Sequence, residues 1–289
     1  MIKYDDTENI SELKIRLRAI KHVALDMDGT IYNGNTLFPF TVGFLDKMKE
    51  HGIGYSFLTN NSSKSRNDYL LHLERMGISA SLDEIYTSGQ ATIDYLRFHH
   101  PNIKRLFILG TPSLIAEFKN AGFTPTKDDH TDEPDAVIVG FDTSLNYPRL
   151  CRAAWWIQKG LAYIATNPDR VCPTDLPVIL VDCGSVCACL EKATGRAPDV
   201  VIGKPASRML DGIMHRYNLQ SEEIAMVGDR IYTDITMAKK TNALGVLVLT
   251  GEAQEKDLEK SEVHPDITVN DISEFGKLLM NSVNGEYYL

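Results

Sequence analysis

Short apolar runs alternate along the chain with longer stretches in which apolar residues recur every three or four positions. The runs His22–Leu25, Gly54–Leu58, Arg105–Leu109, Ala136–Val139, Ala162–Ala165, Val200–Ile202, Ile224–Val227 and Gly245–Leu249 are strand-sized and apolar nearly throughout. Between them, Thr41–His51, Lys64–Met76, Ser113–Ala121, Tyr147–Lys159 and Ala206–Tyr217 have the spacing of amphipathic helices. Continuously apolar strands alternating with helices predict an α/β fold, with parallel sheets covered by helices on both faces. The acidic stretch Thr124–Asp135 predicts a long surface connection. There is no repeat of fixed period and no low-complexity tract.

Composition narrows the range of partners. With 289 residues, 43% of them hydrophobic, the chain can bury one large domain or two moderate ones. The formal net charge is -9 and no Lys/Arg block interrupts it, which argues against a nucleic-acid groove or an anionic membrane surface. A small anionic substrate remains compatible, because a local site can be positive on an acidic protein. The N-terminus, MIKYDDTENISELKIRL, is acidic and lacks the apolar core of a signal peptide. No stretch approaches the roughly 18 apolar residues that span a bilayer, so the expected location is the cytoplasm. Cys151, Cys172, Cys183, Cys187 and Cys189 are odd in number and lack a paired C-x-x-C, which predicts reduced thiols rather than a disulfide framework.

Candidate chemistry gathers where apolar strands end. Val23-Ala24-Leu25 leads into Asp26-Met27-Asp28-Gly29-Thr30. In a parallel α/β sheet ligands collect at the carboxyl ends of strands, and residues i and i+2 share a side. Such a pair can divide the work: one carboxylate attacks an electrophile while the other moves protons. Alone, the octet favours chemistry over a plain acidic turn, and a calcium loop is excluded because Thr30 and Leu37 stand where it needs carboxylate or amide ligands. The strand Tyr55–Leu58 ends in Thr59-Asn60-Asn61-Ser62-Ser63, which suits phosphate oxygens but, taken alone, reads first as a helix cap. Gly203-Lys204 follows Val200–Ile202, but Pro198 and Pro205 break the nucleotide P-loop pattern. Lys204 is left as a point charge for a phosphoryl group or as a solvated lysine. Finally, Ile224–Val227 delivers Gly228-Asp229, and Asp234 follows either as a second hard ligand for a magnesium-like cation or as a helix cap. The four pieces together carry far more weight than any one.

In these motifs, and in TNNSSKS, TSGQAT, ATNPD, ATGRAP and VIGKP, the chain resembles the haloacid dehalogenase superfamily of phosphatases, and within it the NagD-like, 4-nitrophenylphosphatase type. The resemblance implies a Rossmann-like, doubly wound core, formed by residues 1–101 and 199–289, with a smaller α/β cap inserted at 102–198. It implies Mg²⁺ as cofactor and a phosphorylated small metabolite as substrate. Asp26 would be nucleophile and metal ligand, and Asp28 general acid/base with its carbonyl on the metal. Thr59, Asn60 and Gly29 would hold the phosphoryl group, Lys204 would neutralise charge, Asp229 would complete the metal shell and Asp234 would support it. Asn167, Asp169, Cys172 and Pro173 match the substrate-specificity loop, with Cys172 where some relatives acting on pyridoxal phosphate carry His. Cys172 stands equally as an inert loop thiol, and the other cysteines of VILVDCGSVCACL are expected to pack. Of Trp155 and Trp156, one is expected in the cap core and the other exposed, and the resemblance implies a homodimer through the caps.

Three other readings compete. A dehalogenase needs no acid two residues after its nucleophile, so Asp28 favours an oxyanion leaving group. A phosphomutase or phosphotransferase of the same chemistry carries its cap after the first motif, where Thr30–Phe40 is too short. A non-catalytic binding protein of this fold would have lost Asp26, Asp28, Lys204 or Asp229, and all are present.

Overall fold

The computed structural model describes residues 7–174 and 177–284; the first six residues of the acidic N-terminal stretch lie outside them. By its packing the chain divides into two units. The first runs up to Leu58 and includes Arg75–Ser79 and the chain from Ile213 onward; the second comprises Thr59–Glu74 and Ala80–Gly212.

In the first unit, five parallel strands lie in the order Ile267–Val269, Leu244–Val248, Ile224–Gly228, His22–Asp26, Gly54–Thr59. Val23, Ala24 and Leu25 are fully buried, as are Ala225, Met226 and Val227 in the neighbouring strand, so both run through the core. The strand order reverses beside His22–Asp26: the chain goes from there to Gly54–Thr59 on one side and later fills the other side outward. Such a reversal opens a crevice at the strands' carboxyl ends. Register places Leu25 opposite Val227 and Asp26 opposite Leu58, so Asp26 and Asp229 emerge at that same edge. Thr41–Glu50 and Ile272–Asn284 pack against each other through Phe44 and Phe275, with ring centroids 6.4 Å apart.

The second unit has its own five-stranded parallel sheet, in the order Val200–Val201, Ala162–Ala165, Ala136–Val139, Arg105–Leu109, Thr124–Pro125. Thr124–Pro125 corrects the expectation of a plain surface connection: the stretch begins as a short edge strand on Arg105–Leu106 before it turns polar. Helices Tyr147–Gln158 and Cys183–Thr194 bury Trp156, Ile157, Cys183, Cys187 and Leu190 against Phe107, Val137 and Tyr163. Trp156 is fully buried and Trp155 is exposed. Cys183 and Cys187 pack as expected, but Cys189 is exposed, because helical periodicity turns position 189 away from the face that carries 183, 187 and 190. None of the five cysteines is joined in a disulfide among the described residues. Val171–Cys172 and Leu180–Val181 form a small antiparallel hairpin. No helix among the described residues is long and apolar enough to cross a membrane.

Candidate active site

In the first unit the carboxylates of Asp26, Asp229 and Asp234 converge, with ligand oxygens all within 4.8 Å of one another. Asp26 ends its strand half-buried, while Asp229 and Asp234 are buried. Asp234 sits in a wide helical turn, Ile231–Ile235, where its Oδ2 accepts the Arg230 backbone N–H at 3.1 Å. That bond ties the turn back to Arg230, which precedes it, and Asp234 belongs to the carboxylate cluster as well. Wide turns of this kind are frequent at functional sites.

Asp229 is held tightly. Its Oδ2 accepts the Glu252 N–H at 2.7 Å, and a Cβ at Gly29 or at Gly251 would collide with its carboxylate. Gly29 also has φ +89°, a left-handed conformation that favours glycine. The Gly29 carbonyl accepts the Thr250 hydroxyl at 2.5 Å. Gly29 therefore shapes the seat of Asp229, a role distinct from the phosphate contact expected of it.

The cluster fits a hard divalent cation. Asp229 Oδ1 is buried and has no hydrogen-bond partner among the described residues, an arrangement that costs free energy unless a cation or proton meets it. Burial, and then the charges of Asp26 and Asp234, push the Asp229 pKa up to about 7. Three clustered carboxylates repel one another, and a cation bound among them relieves that repulsion. Arg230, next in sequence, supplies a built-in countercharge. Burial opposes its charge, but Asp26 and Asp229 hold its pKa above the ordinary arginine value. Asp28 is exposed and accepts the Gly34 N–H at 3.0 Å.

In the second unit the side chain of Asn60 is a hub. Its Oδ1 accepts the Lys204 N–H at 2.8 Å and its Nδ2 donates to the Lys204 carbonyl at 2.9 Å. The same Nδ2 reaches Asp169 Oδ2 at 3.1 Å. The Asn60 carbonyl accepts from Asn167 Nδ2 at 2.9 Å and from the Ser88 hydroxyl at 2.6 Å. Asn167 in turn accepts the Asp169 N–H at 2.9 Å. Four expected residues, Asn60, Lys204, Asn167 and Asp169, thus form one network. Lys204 is only 4% exposed, which removes the solvated-lysine alternative. Thr59 Oγ1 accepts the Asn61 N–H at 3.1 Å, a local turn contact. Cys172 accepts from Asn61 Nδ2 at 3.7 Å and lies at 3.6 Å from the Pro173 carbonyl.

Sequence reasoning passed over Ser88, Asp182, Arg230, Thr250, Gly251 and Glu252. Asp182 is buried, caps the helix Cys183–Thr194, and is pushed up to about 7, first by burial and then by the charge of Asp169. Thr250-Gly251 lies just beyond the strand Leu244–Val248, where a small residue marks a close approach. That signal was present in the sequence, but only the fold shows what approaches.

A doubly wound sheet that presents clustered carboxylates at its reversal point, with Asp26 ending the first strand and Asp28 two residues beyond it, fits a metal-dependent hydrolase. Comparison with known proteins bears this out. Residues 23–124 match the model of the haloacid dehalogenase-like hydrolases, and residues 201–275 match a second HAD-hydrolase-like model. The ribonucleotide monophosphatase NagD of Escherichia coli is 32% identical over 85% of this chain and 94% of its own length. A phosphoglycolate phosphatase of Arabidopsis thaliana, 1A, is 31% identical over 93% of this chain and 79% of its own length. The crystal structure of a 4-nitrophenylphosphatase from Thermotoga maritima superposes with a TM-score of 0.85 at 38% identity, covering 91% of this chain and 98% of that one. The chain belongs to the haloacid dehalogenase-like hydrolases, and within them to the NagD-like phosphatases.

Proposed function

We propose that the protein is a magnesium-dependent phosphatase that hydrolyses small phosphomonoesters through an aspartyl-phosphate on Asp26. The observation that carries this is the carboxylate cluster of Asp26, Asp229 and Asp234, in which Asp26 ends its strand and Asp28 follows two residues on. The Asp26 carboxylate attacks phosphorus, and the bond from phosphorus to the leaving oxygen breaks as that oxygen takes the proton of Asp28. Asp28, now ionised, accepts a proton from the water that attacks the aspartyl-phosphate, which releases inorganic phosphate and regenerates Asp26.

Asp26, Asp229 and the Asp28 carbonyl would hold Mg²⁺, with Asp234 supporting from outside. When bound, the cation offsets the charge of the phosphoryl oxygens and of the clustered carboxylates. Thr59, Asn60 and Lys204 are assigned to the transferring group, and the hydrogen bonds of Asn60 to the Lys204 backbone support their acting together. Residues 102–198 form the cap domain, and 1–101 with 199–289 form the catalytic core. Asn167, Asp169, Cys172 and Pro173 serve in substrate choice. The substrate is a nucleotide, sugar or similar phosphate, the site of action is the cytoplasm, and the exposed Trp155 belongs to a cap-mediated homodimer interface.

A panel of phosphomonoesters assayed with Mg²⁺, with chelator and with Mg²⁺ restored tests the reaction. Turnover should vanish with chelator and return with the ion. Turnover that ignores the chelator would overturn the metal dependence.

A further inference from the structure

The second unit contains a cavity of about 280 Å³, lined by residues of the helices Arg66–Arg75, Ser88–His99 and Pro112–Asn120 and by none of the carboxylate cluster. Glu117 lines it and is only 7% exposed. Its Oε1 accepts from Arg66 Nε at 3.2 Å and from the Arg66 backbone N–H at 3.3 Å. Its Oε2 is buried and meets no hydrogen-bond donor among the described residues. A carboxylate oxygen left so costs free energy, and it marks a place for a donor from outside the chain. Glycine at position 89 leaves no side chain beside that oxygen, since a Cβ there would stand 3.4 Å from it. Gln90, also buried and lining the cavity, donates Nε2 to Asp94 at 2.8 Å and keeps its amide oxygen for a donor.

Positive charge lines the same cavity. Arg66 Nη1 reaches the Leu82 carbonyl at 3.4 Å. Arg97 Nη2 donates to the Ala121 carbonyl at 2.7 Å, and its Nη1 stands 3.9 Å from Asp94 Oδ1. Each guanidinium carries more N–H donors than these bonds use. We propose that the cavity binds a small zwitterion, an amino acid whose ammonium meets Glu117 Oε2 and whose carboxylate meets Arg66 and Arg97. The volume suits a molecule of about ten non-hydrogen atoms. Burial raises the Glu117 pKa against the pull of Arg66, and a bound ammonium would oppose that rise. A simple anion would leave Oε2 unmet. A metal ion is poorly served, because among the described residues Glu117 belongs to no group of three metal-binding side chains.

The test is a set of thermal melts of the full-length protein with each of the common L-amino acids at millimolar concentration, followed by calorimetry with the compound that raises the melting temperature most. At least one should stabilise the protein and bind once per chain. The amine and the carboxylic acid that each lack one of its two charged groups should bind about tenfold more weakly or worse. Glu117→Gln, which keeps the shape of the side chain, should weaken binding about tenfold and Arg97→Ala severalfold, both with the parent's far-UV circular dichroism. Melts that no amino acid shifts would leave Oε2 to water or a proton and overturn the site. Binding unchanged in both variants, or equalled by the amine or the acid alone, would overturn it as well.

Discussion

Asp26 and Asp28 sit two residues apart yet occupy different surroundings, and their substitution should separate two functions. Asp26→Asn should lower turnover by more than about a thousandfold, since an amide cannot form the phosphoenzyme. Asp28→Asn should lose most turnover but bind Mg²⁺ in calorimetry nearly as the parent does, because the backbone carbonyl survives. Loss of metal binding in a folded Asp28→Asn protein would contradict that ligand assignment. A second residue-scale effect concerns stability. His22 is buried, shares a hydrogen bond of 2.9 Å with Ser56 Oγ, and lies against the Tyr217 ring. Burial lowers its pKa from 6.5 to about 4. Between those values the unfolded chain binds a proton that the folded chain does not, so stability is full above pH 6.5 and falls as pH drops toward 4. The loss amounts to about 3 kcal/mol at most. Urea melts of the parent and of His22→Gln across this range should show the variant with a flatter profile; parallel profiles would remove His22 as the cause.

At the scale of elements, the loop and helix that carry Asn167, Asp169 and Asp182 form a unit whose ionisation opposes its folding. The Asp182 side chain accepts the Cys183 N–H as helix cap, but its pKa is raised to about 7. Such a carboxyl favours folding fully below its unfolded value near 3.8, and that contribution is lost as pH rises through 7. Asp182→Asn keeps a capping oxygen and removes the charge, so it should melt higher than the parent at pH 8 and no higher at pH 4. Equal melting temperatures at pH 8 would refute the buried-charge reading. The hub at Asn60 predicts a different loss. Asn60→Ala strands the backbone N–H and carbonyl of Lys204, costing about 2 kcal/mol or more of unfolding free energy by denaturant titration. An added Cβ at Gly203 would meet Asn60 Oδ1 at 2.6 Å, so Gly203→Ala should disturb the same network.

For the whole molecule, the prediction is one of assembly. Trp155 is 46% exposed and Tyr147 78% exposed on the helix Tyr147–Gln158, where a soluble surface gains nothing from large rings. Light scattering should report a homodimer, and Trp155→Glu should weaken its association at least tenfold; a parent that is monomeric at micromolar concentration would end the cap-dimer proposal. Much of the architecture was legible in the chain because a buried parallel strand must be apolar along its length. Arg105–Leu109, Ala136–Val139 and Ala162–Ala165 appear in the structure with the limits the pattern predicts. Ser88–His99 is not legible as a helix because the residues it buries are mostly small or polar, while Cys183–Thr194 carries its buried stripe on Cys183, Val186, Cys187 and Leu190, half of it cysteine. The sequence by itself determined the strand-end carboxylates, the lysine after its glycine and the family they mark, since each is a local pattern of residue types. Only the tertiary structure decided that Gly29 and Gly251 close on Asp229 and that Asn60 holds Lys204. Those contacts join residues far apart in sequence, and such distances are set by sheet order and packing rather than by any local preference of the chain.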